Sequence, residues 1–329
     1  MRRAMALAAA VRGATSPNPW VGAVLETVDG QVFEGATAPP GGPHAEVAAL
    51  AAAGDQAVGG TLWTTLEPCA HHGRTGPCAE AIVDARLARV VVGIEDPDPN
   101  VAGGGVARLR AAGITVDVGV EADAIRTQLA PYLKHRTTGR PWVLLKLAAS
   151  LDGRTAAPDG SSQWITGQEA RADAHRLRAE SDAIIVGAGT VRADDPALTV
   201  RLGADDGKNR KDPLRVVLGH ASPDARVQPA VELHGELDGV LAELARRGVV
   251  QAMVEGGSTV AGNFHRAGLV DRYVLYLAPA LFGGDDARPL FTGAGVATID
   301  DLWRGRIVSI EQLGADLRVE LEPTPVEAA

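Results

Sequence analysis

Apolar and polar positions alternate along the first part of the chain in a helix–strand rhythm. Residues 21–25 and 31–34 are short apolar runs on either side of Asp29-Gly30, which predicts a hairpin. Residues 44–53 carry an apolar stripe and follow Pro43, so a helix starts there. Residues 61–66 predict a strand, 78–87 a helix, and 89–94, with three successive valines, a buried strand. Residues 101–112 predict a helix, 114–120 a strand and 121–135 one closing helix. Apolar strands separated by helices imply a sheet covered on both faces.

The polar stretch His135-Arg136-Thr137-Thr138-Gly139-Arg140-Pro141 interrupts this rhythm and marks a domain boundary, giving expected domains at 1–137 and 141–325. Beyond it, residues 142–147, 182–186, 214–218 and 251–254 predict strands. Residues 169–179 and 258–267 predict helices, the first rich in arginine. Residues 273–277, 306–310 and 316–321 predict strands that give the second half an antiparallel end. The charge run 205–212 reads as a solvated loop, and the residues after Glu322 as a frayed tail. At the N-terminus, Met1-Arg2-Arg3 and an apolar run to Val11 imitate a short signal peptide. Arg12 closes the run early, so the reading is a first helix with Met5, Leu7, Ala8 and Val11 facing a core. No stretch nears the 18 or so apolar residues of a membrane span.

Length and charge narrow the function. A chain of 329 residues fits two domains, each with its own core. The net charge is −9, and neither half is basic: residues 1–140 hold 12 basic and 14 acidic side chains, residues 141–329 hold 20 and 27. A nucleic-acid duplex is therefore not an expected partner, nor is a membrane. Two cysteines make no disulfide framework, and a reducing, cytoplasmic setting is expected.

Both cysteines fall in one pattern: Pro43-His44-Ala45-Glu46, then Glu67-Pro68-Cys69, then Pro77-Cys78. His44, Cys69 and Cys78 are three zinc ligands, and three ligands leave a tetrahedral Zn2+ one open position. Glu46 sits two residues from His44, placed to shuttle protons rather than to ligate. This combination is the signature of zinc deaminases, in which the metal activates a water. His44 and Glu46 fall on the first turn of one helix and Cys78 opens another, so two helix N-termini face the metal and favour thiolate. A purely structural zinc would need a fourth ligand, for which His71 and His72 are at hand. The two cysteines are unusually far apart. The loop between them, from Ala70 to Pro77, holds His71, His72 and Arg74, which suits a phosphate ester.

These motifs, with Ser16-Pro17-Asn18-Pro19-Trp20-Val21-Gly22 and Asp96-Pro97-Asp98-Pro99-Asn100, resemble the deaminase half of the bifunctional riboflavin-biosynthesis deaminase/reductases. That family shows the same long cysteine spacing. The resemblance implies that Asn18 contacts the pyrimidine beside the zinc. Further motifs resemble the reductase half: Lys146 to Thr155, Ser162-Gln163-Trp164, Asp194-Asp195-Pro196 with Leu198 and Arg201, and Glu255-Gly256-Gly257-Ser258-Thr259.

The implied fold is α/β in two domains, a cytidine-deaminase-like three-layer αβα domain followed by a dihydrofolate-reductase-like one. The implied cofactors are one Zn2+ and NADPH. Ala148, Trp164, Thr190, Asp194, Gly257, Ser258, Thr259, Val260, Ala261, Gly262 and Asn263 would line NADPH. Ser162, Arg178, Leu198, Arg201 and Glu255 would line the substrate. The implied reactions are hydrolytic removal of the 2-amino group from a diamino-ribosylamino-pyrimidinone 5'-phosphate, then reduction of its ribosyl unit to ribityl. A homo-oligomer, dimer or tetramer, is expected.

From the residues alone, two glycine-rich turns stand before helices, Val186-Gly187-Ala188-Gly189-Thr190 and Val254 to Gly262, each able to bring amides to a phosphate. Arg178 and Arg201 suit bidentate phosphate binding. The stretch from Gly219 to Leu241 is short, so a strand or loop at the sheet edge is expected to be missing, and with it cofactor contacts near His220. A deaminase of single-stranded nucleic acid would need a basic, aromatic groove, which a chain with 4% aromatics scarcely supplies. A zinc-stapled binding scaffold would have no use for Glu46.

Overall fold

Asp29-Gly30 turns the chain as its residues predict. Gly30 adopts φ +84°, and β1 (Gly22–Glu26) pairs antiparallel with β2 (Val32–Ala36). In this computed structural model residues 1–71, 76–98, 101–202 and 212–324 are described, and the chain divides into two units, Met1–Arg140 and Pro141–Ala329.

The first unit is a five-stranded sheet in the order β2-β1-β3-β4-β5, with β3 (Thr61–Leu66), β4 (Arg89–Ile94) and β5 (Thr115–Val118) mutually parallel. Glycines let helices lie directly on it. A Cβ on Gly22 would sit 1.9 Å from Ala4 O of α1 (Arg2–Ala10), and one on Gly35 would sit 2.1 Å from Ala45 O of α2 (Ala45–Ala53). Gly35 is the cross-strand partner of Ala23, the neighbour of Gly22. Side chains alternate along a strand, so α1 and α2 cover opposite faces. α3 (Cys78–Asp84) packs beside α2, and α4 (Gly104–Ala111) beside α3. α5 (Ala122–Gln128) lies on Gly93, on α1's side. The unit closes with α6 (Ala130–Thr138).

Four details depart from the sequence reading. The helix expected over 101–112 begins only at Gly104, because Gly103 takes a left-handed conformation at its N-cap. The single closing helix is two, broken at Leu129, with Pro131 in the first turn of α6. Residues His135–Thr138, expected as linker, are the last turn of α6, which Gly139 ends at φ +68°. In α1 the face that packs is Ala4 and Ala8, both fully buried, whereas Met5 and Leu7 are half-buried: contact with Gly22 selects the smallest side chains, not the most apolar.

The second unit is an eight-stranded sheet, β10-β9-β8-β11-β6-β12-β15-β14. Its parallel part is β6 (Trp142–Ser150), β8 (Ala183–Gly187), β9 (Leu214–Leu218), β10 (Val231–Leu233), β11 (Gln251–Val254) and β12 (Arg272–Ala278). β14 (Gly305–Leu313) and β15 (Asp316–Pro323) run antiparallel. β7 (Arg154–Ala156) and β13 (Arg288–Pro289) form a separate small pair.

β8 and β11 are buried at every position, as parallel strands covered on both faces must be. α9 (Leu237–Arg246) and α10 (Ser258–Arg266) pack Leu241, Leu244 and Phe264 on one face, against Val143, Leu145 and Leu147. α7 (Gln168–Ala179) and α8 (Ala188–Asp194) pack Leu177 and Val191 on the other, with Leu144 and Met253. The edge strand expected to be missing is present: β10 occupies three residues beside β9, and α9 follows it after a three-residue turn.

Candidate active sites

Three local devices bring the metal ligands together. Pro43 precedes His44, which caps α2 in an extended conformation (φ −73°, ψ 163°). β3 ends at Leu66 and delivers Cys69 just beyond it, and Pro77 fixes the entry to α3 so that Cys78 is its first residue. His44 Nδ1 lies 3.1 Å from Cys78 Sγ and 3.6 Å from Cys69 Sγ, and the Cys78 N–H donates to Cys69 Sγ (3.4 Å). All three ligand atoms fall within 4.8 Å of one another. Metal–ligand bonds of about 2.0–2.3 Å span such a triangle, and the set is two thiolates and an imidazole, so the residues fit zinc with one position open. His71 is not part of this cluster, and His72 lies outside the described residues.

Glu46 is 3% exposed, in the first turn of the helix that His44 caps. Burial pushes its carboxyl up to about 7 in the metal-free protein. The thiols polarise each other. The Cys78 thiol donates to Cys69, which falls to about 4, while Cys78 itself is pushed up by that same bond and by burial. The hydrogen bond that the His44 ring donates to the Cys69 thiolate raises His44. One cysteine thus stands ready as thiolate, and a cation between the two would remove the second proton.

These residues open onto a cavity of about 380 Å³. Asn18 and His71 line it with His44, Glu46 and Cys69, so the structure brings together the described residues expected there. Arg74 lies outside the described residues. The rest of the wall escaped the sequence reading. Glu67, 3% exposed, accepts from the N–H groups of Asp96 (3.2 Å), Gly103 (3.0 Å) and Val106 (3.0 Å), anchoring Asp96 and the start of α4 to the strand end that carries Cys69. Gly105 must be glycine, since a Cβ there would stand 1.8 Å from Pro68 O. Tyr132 donates to Asp96 (3.0 Å), and Arg136 lies beside both Tyr132 and Asp98. Only a buried carboxylate directly before Pro68-Cys69 could have signalled this wall.

In the second unit the polar centre is Glu255, at the end of β11, with a side chain 7% exposed. Arg178 of α7 grips it with two hydrogen bonds, one of them 2.8 Å from Nη2 to Oε2. Lys146 Nζ stands 3.9 Å away. Burial alone would raise Glu255, but Arg178 and Lys146 hold it below the usual carboxylate range, while burial lowers Lys146. The Arg201 N–H donates to His175 Nδ1 (3.2 Å), and burial and Arg178 push His175 down to about 4. Arg178 and Arg201 therefore converge on one neighbourhood.

The second glycine-rich turn leads from β11 into α10. Gly256 has φ +82°, the Gly257 N–H donates to Thr190 Oγ1 (2.9 Å), and Ser258 opens α10 with its hydroxyl on Pro289 O (2.6 Å). Ala261 and Gly262 are buried in α10, Gly262 so tightly that a Cβ would stand 2.4 Å from Thr292 O, and Thr259 meets Thr292 (3.0 Å). Val260 and Asn263 face a second cavity of about 650 Å³, beside Leu218, Gly219 and Leu233 at the carboxyl ends of β9 and β10. Strand ends of this kind, beside the start of α9 at Glu236, Leu237 and Asp238, form a crevice of the sort that dinucleotides occupy.

The remaining expected residues differ in exposure. Leu198 is 2% exposed at φ +52° and packs in the core, Asp194 is exposed at the end of α8, and Ser162 and Ala148 are half-buried. Trp164 is 68% exposed, with Arg171 over its ring at 4.7 Å.

Comparison with known proteins agrees with both units. The cytidine and deoxycytidylate deaminase zinc-binding region matches residues 1–94, and the RibD C-terminal domain matches residues 141–319. The riboflavin biosynthesis protein RibD of Mycobacterium tuberculosis is 44% identical over 94% of this chain and 93% of its own. That of Escherichia coli K12 is 40% identical over 98% of each. Among solved structures, Acinetobacter baumannii RibD superposes with TM-score 0.92 at 40% identity, covering 98% of this chain and 97% of its own. The Thermotoga maritima diaminohydroxyphosphoribosylaminopyrimidine deaminase/5-amino-6-(5-phosphoribosylamino)uracil reductase does so with 0.88 at 33%, over the same shares. The chain belongs to the RibD family, the bifunctional zinc deaminase and NADPH-dependent reductase enzymes of riboflavin biosynthesis.

Proposed function

We propose that Glu46 is the proton carrier of the deaminase and that the two cavities divide the family's two reactions between them. Glu46 carries the reading: a carboxyl kept from water, beside three metal ligands, in a cavity that also holds Asn18. Zinc held by His44, Cys69 and Cys78 supplies a Lewis acid with an open position, which makes water acidic near neutral pH. Glu46 takes a proton from the attacking water as its oxygen adds to the amidine-type carbon. It then returns that proton to the departing 2-amino group, which leaves as ammonia. Asn18 orients the pyrimidine, and His71 and Arg74 receive the 5'-phosphate.

In the second unit NADPH supplies the hydride that converts ribosyl to ribityl, and the protein's part is binding and charge. The turn Gly257, Ser258, Thr259, Val260, Ala261, Gly262, Asn263, with Thr190, Asp194, Ala148 and Trp164, holds the cofactor. The cavity at the ends of β9 and β10 takes its adenosine end. Glu255, Arg178, Arg201, Ser162 and the backbone at Leu198 bind the ribotide, the arginines meeting its phosphate.

Exposed Ile307, Ile310 and Leu317 on β14 and β15 support self-association into a dimer or tetramer. Two free thiols in one metal cluster suit the cytoplasm. The test is Glu46→Gln: bound zinc should persist, ammonia release should fall about 10²–10⁴-fold, and NADPH oxidation on already deaminated ribotide should continue. Unchanged ammonia release would overturn the assignment.

A further inference from the structure

The cavity of the first unit has one wall that the catalytic cluster does not hold. Asn18 sits in a turn closed on itself, its N–H on Thr15 O (2.9 Å) and its carbonyl on Thr15 Oγ1 (3.0 Å). The turn is tied to the cavity from far along the chain. Arg136, in the last turn of α6, donates from Nη2 to Pro17 O (3.1 Å) across 119 positions. The same guanidinium lies over the Tyr132 ring at 5.1 Å, with Nε 3.8 Å from Asp98 Oδ2. Its side chain is 28% exposed, so these contacts are only partly open to water. Tyr132 is itself fixed to Asp96, and the Asp96 N–H is held by Glu67.

One planar cation therefore joins three walls: the turn carrying Asn18, the segment carrying Asp98, and α6. A lysine brings the charge but cannot lie flat over the Tyr132 ring while donating to Pro17 O and facing Asp98. Glu46, Glu67, Asp96 and Asp98 also line this cavity, so the guanidinium stands on an acidic wall.

We propose that Arg136 is a positioning residue of the deaminase, holding the Pro17-Asn18-Pro19 turn so that Asn18 faces the reacting pyrimidine. It acts through Asn18 and touches none of the reacting atoms. The inference rests on the assignment of Asn18 to the substrate.

A double-mutant cycle of Arg136→Ala and Asn18→Ala tests it, with Arg136→Lys alongside. Ammonia release from the diamino ribotide, and from the same compound without its phosphate, is read together with zinc per chain. NADPH oxidation on deaminated ribotide, in the same preparation, reports that the chain is folded. The expected result is a loss of about 10- to 100-fold in deaminase kcat/KM for Arg136→Ala, the scale of a small misplacement. The loss should be equal on both substrates and partly recovered in Arg136→Lys. Zinc and NADPH oxidation should be unchanged, and the double variant no worse than Asn18→Ala.

Additive losses, or wild-type turnover in Arg136→Ala, overturn the proposal. A loss confined to the phosphorylated substrate does so too, since Arg136 would then bind phosphate directly. Wild-type turnover in Asn18→Ala shows that the Asn18 assignment itself has failed, and the proposal falls with it. If Arg136→Ala does not fold, the cycle is run with Arg136→Lys, with the same criterion of non-additivity.

Discussion

The two active regions are built in opposite ways. In the first unit the chemistry is carried by side chains within residues 44–78, placed by two helix starts and one strand end. In the second unit, contacts come from β6, α7, the segment after α8 and the end of β11, spread from Lys146 to Glu255. The difference follows from the reactions. Hydrolysis by a metal requires particular ligand atoms in a small volume, and few residue types supply them. Hydride transfer from a cofactor requires a shaped, charged surface, which many residues can contribute to.

This contrast can be broken by mutation. The largest effect is expected from Cys69→Ser or Cys78→Ser. Either should remove zinc and bring ammonia release below detection, while NADPH oxidation on deaminated ribotide survives, as metal analysis and the paired assay would show. Equal loss of both activities would mean that the units are not separable. Glu46→Gln follows, with its loss of about 10²–10⁴-fold confined to the first reaction.

Arg178→Met comes next and acts in the other unit. Removing one member of a buried pair costs about 3–5 kcal/mol. The low end is expected, because Lys146 remains 3.9 Å from Glu255. The denaturant midpoint of the second unit should fall and NADPH oxidation should be lost, with ammonia release intact.

The smallest effect concerns acid. His175 is held neutral, down to about 4 from an ordinary 6.5, by burial and by Arg178. Between those values the unfolded chain binds more protons than the folded one. The stability that depends on neutral His175 is thus full above about pH 6.5 and is lost as pH falls through 4. His175→Gln keeps an acceptor for the Arg201 N–H and should flatten the second unit's stability profile over that window. An unchanged profile would show that His175 does not contribute.

Legibility in the sequence followed the same division. Ligand identity, helix starts after proline and the Asp29-Gly30 turn are local properties, and the residues around His44, Cys69 and Cys78 stated them. The central strands were legible too, since continuous apolar runs such as 183–187 leave little choice. Glu67, Tyr132 and Arg136 were not, because their partners lie 29 to 119 positions away. Packing against Gly22 chose Ala4 over Leu7, which hydrophobicity alone cannot express. β10 was missed because three half-buried residues carry no periodic signal. Leu198 was expected at the substrate from its motif, yet its side chain turns into the core.

The central claim is that one chain holds two separable sites acting in sequence. The most direct measurement gives the Glu46→Gln enzyme, with zinc bound and NADPH present, first the diamino ribotide and then its deaminated product. The account predicts ammonia release and NADPH oxidation with the first both cut by about 10²–10⁴-fold, and wild-type NADPH oxidation with the second. Wild-type ammonia release from the first, or no NADPH oxidation with the second in a folded enzyme, would contradict it.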